Sequence, residues 1–354
     1  MEHRLYTLQR QLPELLTLEA LMHQGERWLR AEIVHTVQLD DQQLPLWVLE
    51  LGTRNPRAPV IGFFGGVHGV ERIGTQVLLS WLHSLVHRLS WDDALHQRLQ
   101  QVRLVFMPMI NPGGIWQRTR CNPNKVDLMR NAPVDADGPV PFLVGGHRLT
   151  RHLPWYRGRR GDDMEPEAQA MIDVVRRKIL PAPFSMTVDC HSGFGRRDRI
   201  WCCYARTRTP IPHLAEVFAL KNLFQDTWPH HHPYLIEPQS VNYTTHGDLW
   251  DYLYDDALLR FPQHTFLPFT LEMGSWLWVR KNPKQMLDFF GYFNPVIQHR
   301  HHRVLRQHLP LFEFLTAATA HWHHWQPLEK HRPALLRDAI AHWFPTRPGQ
   351  TRAQ

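Results

Sequence analysis

Cysteine is scarce in this chain and long apolar runs are absent. The 354 residues include four cysteines, Cys121, Cys190, Cys202 and Cys203, with no zinc-ribbon spacing, and in a chain this long four give no disulfide framework. Reduced thiols are therefore expected. No run of 18 or more apolar residues could span a bilayer. The start, Met1-Glu2-His3-Arg4-Leu5, lacks the basic segment, apolar core and small-residue cleavage site of a leader. A cytoplasmic protein without a membrane partner is the expectation. Acids are fewer than bases, 33 against 40, for a formal charge of +7, which raises the question of nucleic acid. The basic residues, however, are scattered through Arg176-Arg177-Lys178, Arg196-Arg197 and the C-terminal tail, with acids between them and no helix-turn-helix or RNA-binding signature. No nucleic-acid partner is expected. Internal repeats are also missing.

What is present is a globular composition, 43% hydrophobic, and 25 histidines. Many histidines cluster, as in His230-His231-His232, His299 with His301-His302, and His321 with His323-His324; these are read as polar helix faces or solvated loops. Residues 1–30 read as one or two helices, with Leu8, Leu12, Leu15 and Leu16 near helical spacing, packed as a lid. Ala31 to Leu39 and Leu44 to Leu51 read as a hairpin around Asp40-Asp41-Gln42-Gln43. Strands are expected at Val60–Phe64, Val102–Ile110, Phe184–His191, Ile200–Tyr204 and Thr265–Gly274, and helices at 71–89, 92–100, 165–180, 213–224 and 247–259. Asn111-Pro112-Gly113-Gly114 is a turn signal, and residues 132–161 form a loop long enough to favour a functional role. Strands alternating with helices predict a three-layer α/β/α sandwich around a mixed, largely parallel sheet. The expected division is an N-terminal helical segment, 1–30; a catalytic domain, 31–295; a helical extension, 296–344; and a disordered tail, 345–354.

Val60 to Glu71 organises the rest. An apolar strand runs into Gly65-Gly66, and His68 and Glu71 follow at a strand-to-helix corner, where open α/β sheets place their ligands. An imidazole and a carboxylate three residues apart can hold one metal ion. Zinc suits mixed nitrogen and oxygen donors, and a catalytic zinc site takes three protein ligands and keeps one position open. His191, ending the strand in Thr187-Val188-Asp189-Cys190-His191, is the third candidate. Asp189, two residues earlier and on the same face of a regular strand, suits a supporting role behind it. Glu272, near the end of Phe269-Thr270-Leu271-Glu272, is the candidate general base, since a carboxylate there needs a polar partner.

The ordered set His68-x-x-Glu71, His191 at a strand end and Glu272 in Phe-Thr-Leu-Glu resembles the zinc carboxypeptidases of the carboxypeptidase A type, the funnelins, over roughly residues 45–295. Glu165-Pro166-Glu167 resembles a stretch in bacterial relatives. The resemblance implies one zinc ion on His68, Glu71 and His191 and an amide-hydrolysing activity with Glu272 as base. It implies oxyanion support from Arg120, with Arg118 the alternative, and an anchor for the substrate carboxylate at Arg130. It also implies a mobile-loop tyrosine, matched to Tyr254 with Tyr252 the alternative. The pattern's asparagine before Arg130 is Met129 here. That departure keeps open a second enzyme, an N-acyl amino acid amidohydrolase of the aspartoacylase and succinylglutamate desuccinylase type, and a murein-peptide amidase. Outside enzymes, a zinc-retaining binding protein is the alternative. The expected substrate is a peptide or acyl-amino acid.

Overall fold

The computed structural model describes residues 2–230 and 233–345 of the chain. The expected disordered tail from 346 onward, together with His231 and His232, lies outside the described residues. Eight strands form one mixed sheet: β1 (Arg30–Leu39), β2 (Gln42–Gly52), β3 (Val60–Gly65), β4 (Arg103–Met107), β5 (Phe184–Ser192), β6 (Asp198–Cys202), β7 (Tyr234–Pro238) and β8 (Thr265–Met273). Their spatial order is β1-β2-β4-β3-β5-β8-β6-β7. The central four, β4-β3-β5-β8, are parallel. β1 and β2 form an antiparallel hairpin, β2 joins β4 antiparallel, and β6 joins β8 antiparallel.

The sequence pattern explains which strands are central. β3 and β5 are buried at every position, as continuous apolar runs must be when helices cover both faces of a parallel sheet. Neighbouring residues on β3 show the layers directly. Phe63 packs against Trp81 and Phe312, from the helices Arg72–Arg88 and Leu309–Ala320. Phe64, pointing the opposite way as strand geometry requires, packs against Trp250 of the helix Leu249–Arg260. Two glycines permit close fits. Gly66 takes a positive φ of 66° at the corner after β3. A Cβ on Gly74 would sit 2.2 Å from the Cys190 carbonyl oxygen, so the helix after the corner lies directly on β5.

From β3 the chain winds outward both ways, to β4 on one side and to β5 on the other. The carboxyl ends of β3 and β5 therefore border a crevice, the place where doubly wound sheets bind ligands.

Several expectations are corrected. The N-terminal helices Glu2–Gln11 and Pro13–Gln24 are not a lid. Leu12, Leu15 and Leu18 are buried, and Glu14 forms an ion pair with Arg72, clamping the second helix to the flank of the helix Arg72–Arg88. Asn111 to Gly114 does not simply turn. Asn111 accepts from the Gly114 N–H at 2.8 Å and caps a short helix, Pro112–Gln117, because proline suits the first helical position. β7 is absent from the sequence reading; its five residues are half-buried apart from the two ends, and Glu237 interrupts the apolar pattern. β8, last in the chain, inserts between β5 and β6. The segment 165–180 starts as an α-helix at Pro166 and ends in a π-turn, Val175–Ile179.

Candidate metal centre

Each candidate ligand is fixed by the element that carries it. His68 and Glu71 follow β3, and Glu71 is the residue preceding the helix Arg72–Arg88. His191 lies on β5, directly beside Glu272 of β8 in the register of the two strands. His68, Glu71 and His191 are all buried, and one donor atom from each falls within 4.8 Å of the others. The histidine rings meet edge to face at 5.1 Å. Burying two imidazoles and a carboxylate together is costly unless charge and hydrogen bonds compensate, and a divalent cation is the group that this donor set fits.

Both rings have the arrangement of a metal-binding histidine, one nitrogen toward the centre and the other toward a carboxylate. His191 Nδ1 lies 3.2 Å from Glu71 Oε2, and its Nε2 lies 2.9 Å from Asp189 Oδ2, although that last contact is off the hydrogen-bonding direction. Asp189 is held in turn by the indole N–H of Trp250 at 3.0 Å. His68 Nδ1 lies 3.6 Å from Asp127 Oδ1, and its Nε2 faces the Arg120 guanidinium at 2.7 Å. Glu71 Oε2 accepts from the Ser192 N–H at 2.9 Å, and Oε1 from Arg120 at 3.1 Å.

Ionisation follows from these contacts. Burial drives the His68 pKa well below its ordinary value, reinforced by Arg120, so the ring stays neutral and able to ligate. Burial opposes charge on His191 too, but Asp189 and Glu71 hold its pKa well above the usual range. Glu71 is pushed up by burial, yet His68 and His191 keep it below the ordinary carboxylate value. Glu272 goes the other way. Burial, then the Glu71 charge, raise it to about 8, although its Oε1 accepts the Phe194 N–H at 2.9 Å.

These residues border a cavity of about 180 Å³ that also receives Arg120, Arg130, Met129, Tyr243 and Trp155. Arg120 is braced by Asp127 at 2.8 Å and lies over the Trp155 ring at 5.6 Å. Its loop is tied down by Asn122, which donates to Glu165 and Glu167, so the Glu-Pro-Glu stretch positions the arginine segment. Arg118 does not reach the cavity: it adopts a left-handed φ of 56° and stacks on Phe290. Arg130 borders the cavity with its Nη1 3.8 Å from Asp248.

Tyr254 is a correction. It sits on the helix Leu249–Arg260 with no exposure, its hydroxyl against His213 at 2.7 Å, and it does not border the cavity. Tyr252 instead meets Arg176 at 3.2 Å. The tyrosine in the cavity is Tyr243, on the turn after β7. Asp127 and Tyr243 are the two residues that sequence reasoning passed over. The first lies three residues before Arg130; the second follows a strand that the pattern did not reveal. Among the described residues the histidine clusters add no ligand to this group: His299, His302, His321, His323 and His324 are exposed.

The arrangement defines an α/β protein with a buried two-histidine, one-carboxylate group that could hold a metal ion and a further acid beside it. The chain belongs to the zinc carboxypeptidase family, whose model matches residues 33–276. It is 35% identical over 92 residues to Carboxypeptidase SOL1 of Arabidopsis thaliana, covering 25% of this chain and 19% of that one. It is 29% identical over 154 residues to Carboxypeptidase D of Anas platyrhynchos, covering 42% and 10%. The chain thus spans less than a fifth of the length of either relative. Its fold is that of the carboxypeptidase A from Helicoverpa armigera, with a TM-score of 0.60 at 15% identity over 86% of this chain and 71% of that one. Among the described residues no helix is long and apolar enough to cross a membrane.

Proposed function

We propose that the chain is a zinc-dependent hydrolase cleaving a peptide or amide bond next to a carboxylate-bearing residue. One observation carries the reading: Glu272 stands beside His191 across β5 and β8, so an acid of raised pKa faces the same cavity as the metal-binding group. Residues 31–295 are the proposed catalytic unit, and the proposed location is the cytoplasm.

His68, Glu71 and His191 hold the ion, which when bound supplies a Lewis acid that lowers the pKa of water and polarises a carbonyl. Glu272 takes a proton from the attacking water and passes it to the leaving nitrogen as the carbon–nitrogen bond breaks. The Phe194 N–H fixes that carboxylate in place. Arg120, braced by Asp127, offers a cation to the developing oxyanion. Arg130 holds the substrate carboxylate, for which its planar fork is suited, and Tyr243 takes the place expected for Tyr254.

Met129 favours a second reading on the same machinery. It borders the cavity where the family pattern has an amide, and the cavity is small; an N-acyl amino acid would need fewer contacts there than a peptide. A panel of hippuryl-type peptides, murein peptides and N-acetyl and N-succinyl amino acids, assayed with zinc restored, separates the readings. Release of a free C-terminal residue supports the carboxypeptidase, and exclusive deacylation of small acyl amino acids supports the amidohydrolase. No metal-dependent turnover of any member would leave only a zinc-retaining binding protein.

A further inference from the structure

A second and larger cavity, about 300 Å³, lies next to the first in the chain's own architecture. Gly193 and Phe194 border the metal-site cavity, while Arg196, Arg197 and Asp198, from the same turn, border this one. Its opposite wall is the helix Gln298–Gln307 with Arg300 and Arg303, and Lys281 ends the helix Trp276–Lys281 at its rim. Trp278 and Val304, both buried, give it an apolar floor.

Five cations therefore converge on one concavity. Several arginines elsewhere are matched to acids: Arg72 to Glu14, Arg157 to Asp135, Arg176 to Asp256, Arg206 to Asp255 and Arg332 to Glu216. Among the described residues none of Arg196, Arg197, Lys281, Arg300 and Arg303 forms an ion pair with a carboxylate. The Nη1 of Arg300 is buried with no hydrogen-bond partner, although a guanidinium nitrogen withdrawn from water ordinarily finds one. Asp198, the sole acid among the described residues of the lining, feels the Arg303 charge but is already engaged, accepting from the Gly274 N–H at 2.9 Å and from the Gln307 amide at 2.6 Å. Gathering like charges at a concave, partly apolar site raises the local potential and costs stability unless an anion occupies it. Guanidinium groups match the oxygen geometry of phosphate.

We infer that this cavity is an anion-binding site for a phosphate-class ligand carrying two or more negative charges, separate from the metal centre and held by Arg300 and Arg303 with help from Arg196 and Arg197. A ligand with an aromatic or aliphatic body would rest that body on Trp278. The site does not depend on what the metal-site cavity hydrolyses.

Inorganic phosphate is the probe, titrated into the zinc-loaded protein by isothermal calorimetry at low ionic strength. Saturable binding in the wild type is expected. It should weaken at least tenfold in the Arg300→Gln/Arg303→Gln double variant and also in Arg196→Gln/Arg197→Gln, whose side chains are exposed. Because phosphate also approaches zinc centres, the titration is repeated on His191→Ala, which should still bind. Loss of binding in His191→Ala but not in the arginine variants would overturn the inference, as would the absence of saturable binding in the wild type. Vesicles containing phosphatidylglycerol form the second arm. Attachment that inorganic phosphate displaces and the arginine variants abolish assigns the phosphate to a lipid headgroup. Attachment that phosphate does not displace, with no binding of phosphate itself, would refute the site.

Discussion

In the metal-site cavity most charges meet their opposites: Arg120 lies against Asp127 and Glu71, and His191 faces Asp189, while the neutral His68 ring also faces Asp127. In the cavity bordered by Arg196, Arg197, Lys281, Arg300 and Arg303, five cations share one engaged carboxylate. The two draw on a single turn, residues 193–198, yet follow opposite electrostatic rules. The first is built from acids and two imidazoles, one of them neutral and the other held protonated by its acids until a cation displaces the proton. The second has a surplus of donors that suits an anion. Chain charge alone, +7, describes neither; what matters is which charges are left without partners once the fold is made.

The largest test of the contrast is Glu272→Gln. The acid beside the metal group should be dispensable for holding zinc and needed for turnover, with a loss of about 10²–10⁴ in rate at unchanged zinc content. Wild-type turnover on the substrate panel would remove Glu272 from the mechanism. Next are the carboxylates behind the rings. Asp189→Asn and Asp127→Asn should each weaken zinc binding by about 10–100-fold, the usual effect of losing such a partner, read by chelator competition. Unchanged affinity would make them ordinary packing acids.

A pH dependence sharpens the comparison further. His191 is held protonated to unusually high pH and Glu272 is raised to about 8, so zinc must displace protons below that value. Its apparent affinity should climb between pH 6 and 8 by about tenfold per unit for each proton released, and less steeply in Glu272→Gln. A flat profile would contradict the protonation states assigned here.

A last effect, on stability and not on the metal or the chemistry, lies away from both cavities. His264, buried beside Ser185 at 2.8 Å, is lowered by burial from 6.5 to about 4. The unfolded chain then binds the extra proton first, so its contribution is present above pH 6.5 and is lost as pH falls toward 4. The total is about 3 kcal/mol. Urea midpoints of wild type and His264→Gln at pH 7 and pH 4.5 should converge on acidification, and parallel titrations would show the ring to be neutral to stability.

The parts of this structure that sequence reveals are those with strong local pattern. β3 and β5 are continuous apolar runs because two helical layers cover them, and the residues ending them, His68, Glu71 and His191, stand where polar groups interrupt apolar strands. Tyr254 and Tyr243 show where such reading stops. Both are tyrosines near a predicted helix, and only three-dimensional packing sends one onto His213 and the other into the cavity. β7 escaped because Glu237, needed on a half-buried strand to receive Arg199 at 3.2 Å, breaks the alternation. The basic cavity escaped for a related reason. Its cations come from residues 196–197, 281 and 300–303, and nothing local marks them as converging.

The central claim is that two imidazoles and one carboxylate from distant segments hold a single zinc ion. Zinc K-edge absorption spectroscopy on the loaded protein tests it most directly. The expected spectrum has imidazole nitrogen scattering at about 2.0–2.1 Å with oxygen completing the shell, reduced to one imidazole in His191→Ala. Sulfur scattering at about 2.3 Å, or a spectrum unchanged by removing His191, would place the metal elsewhere.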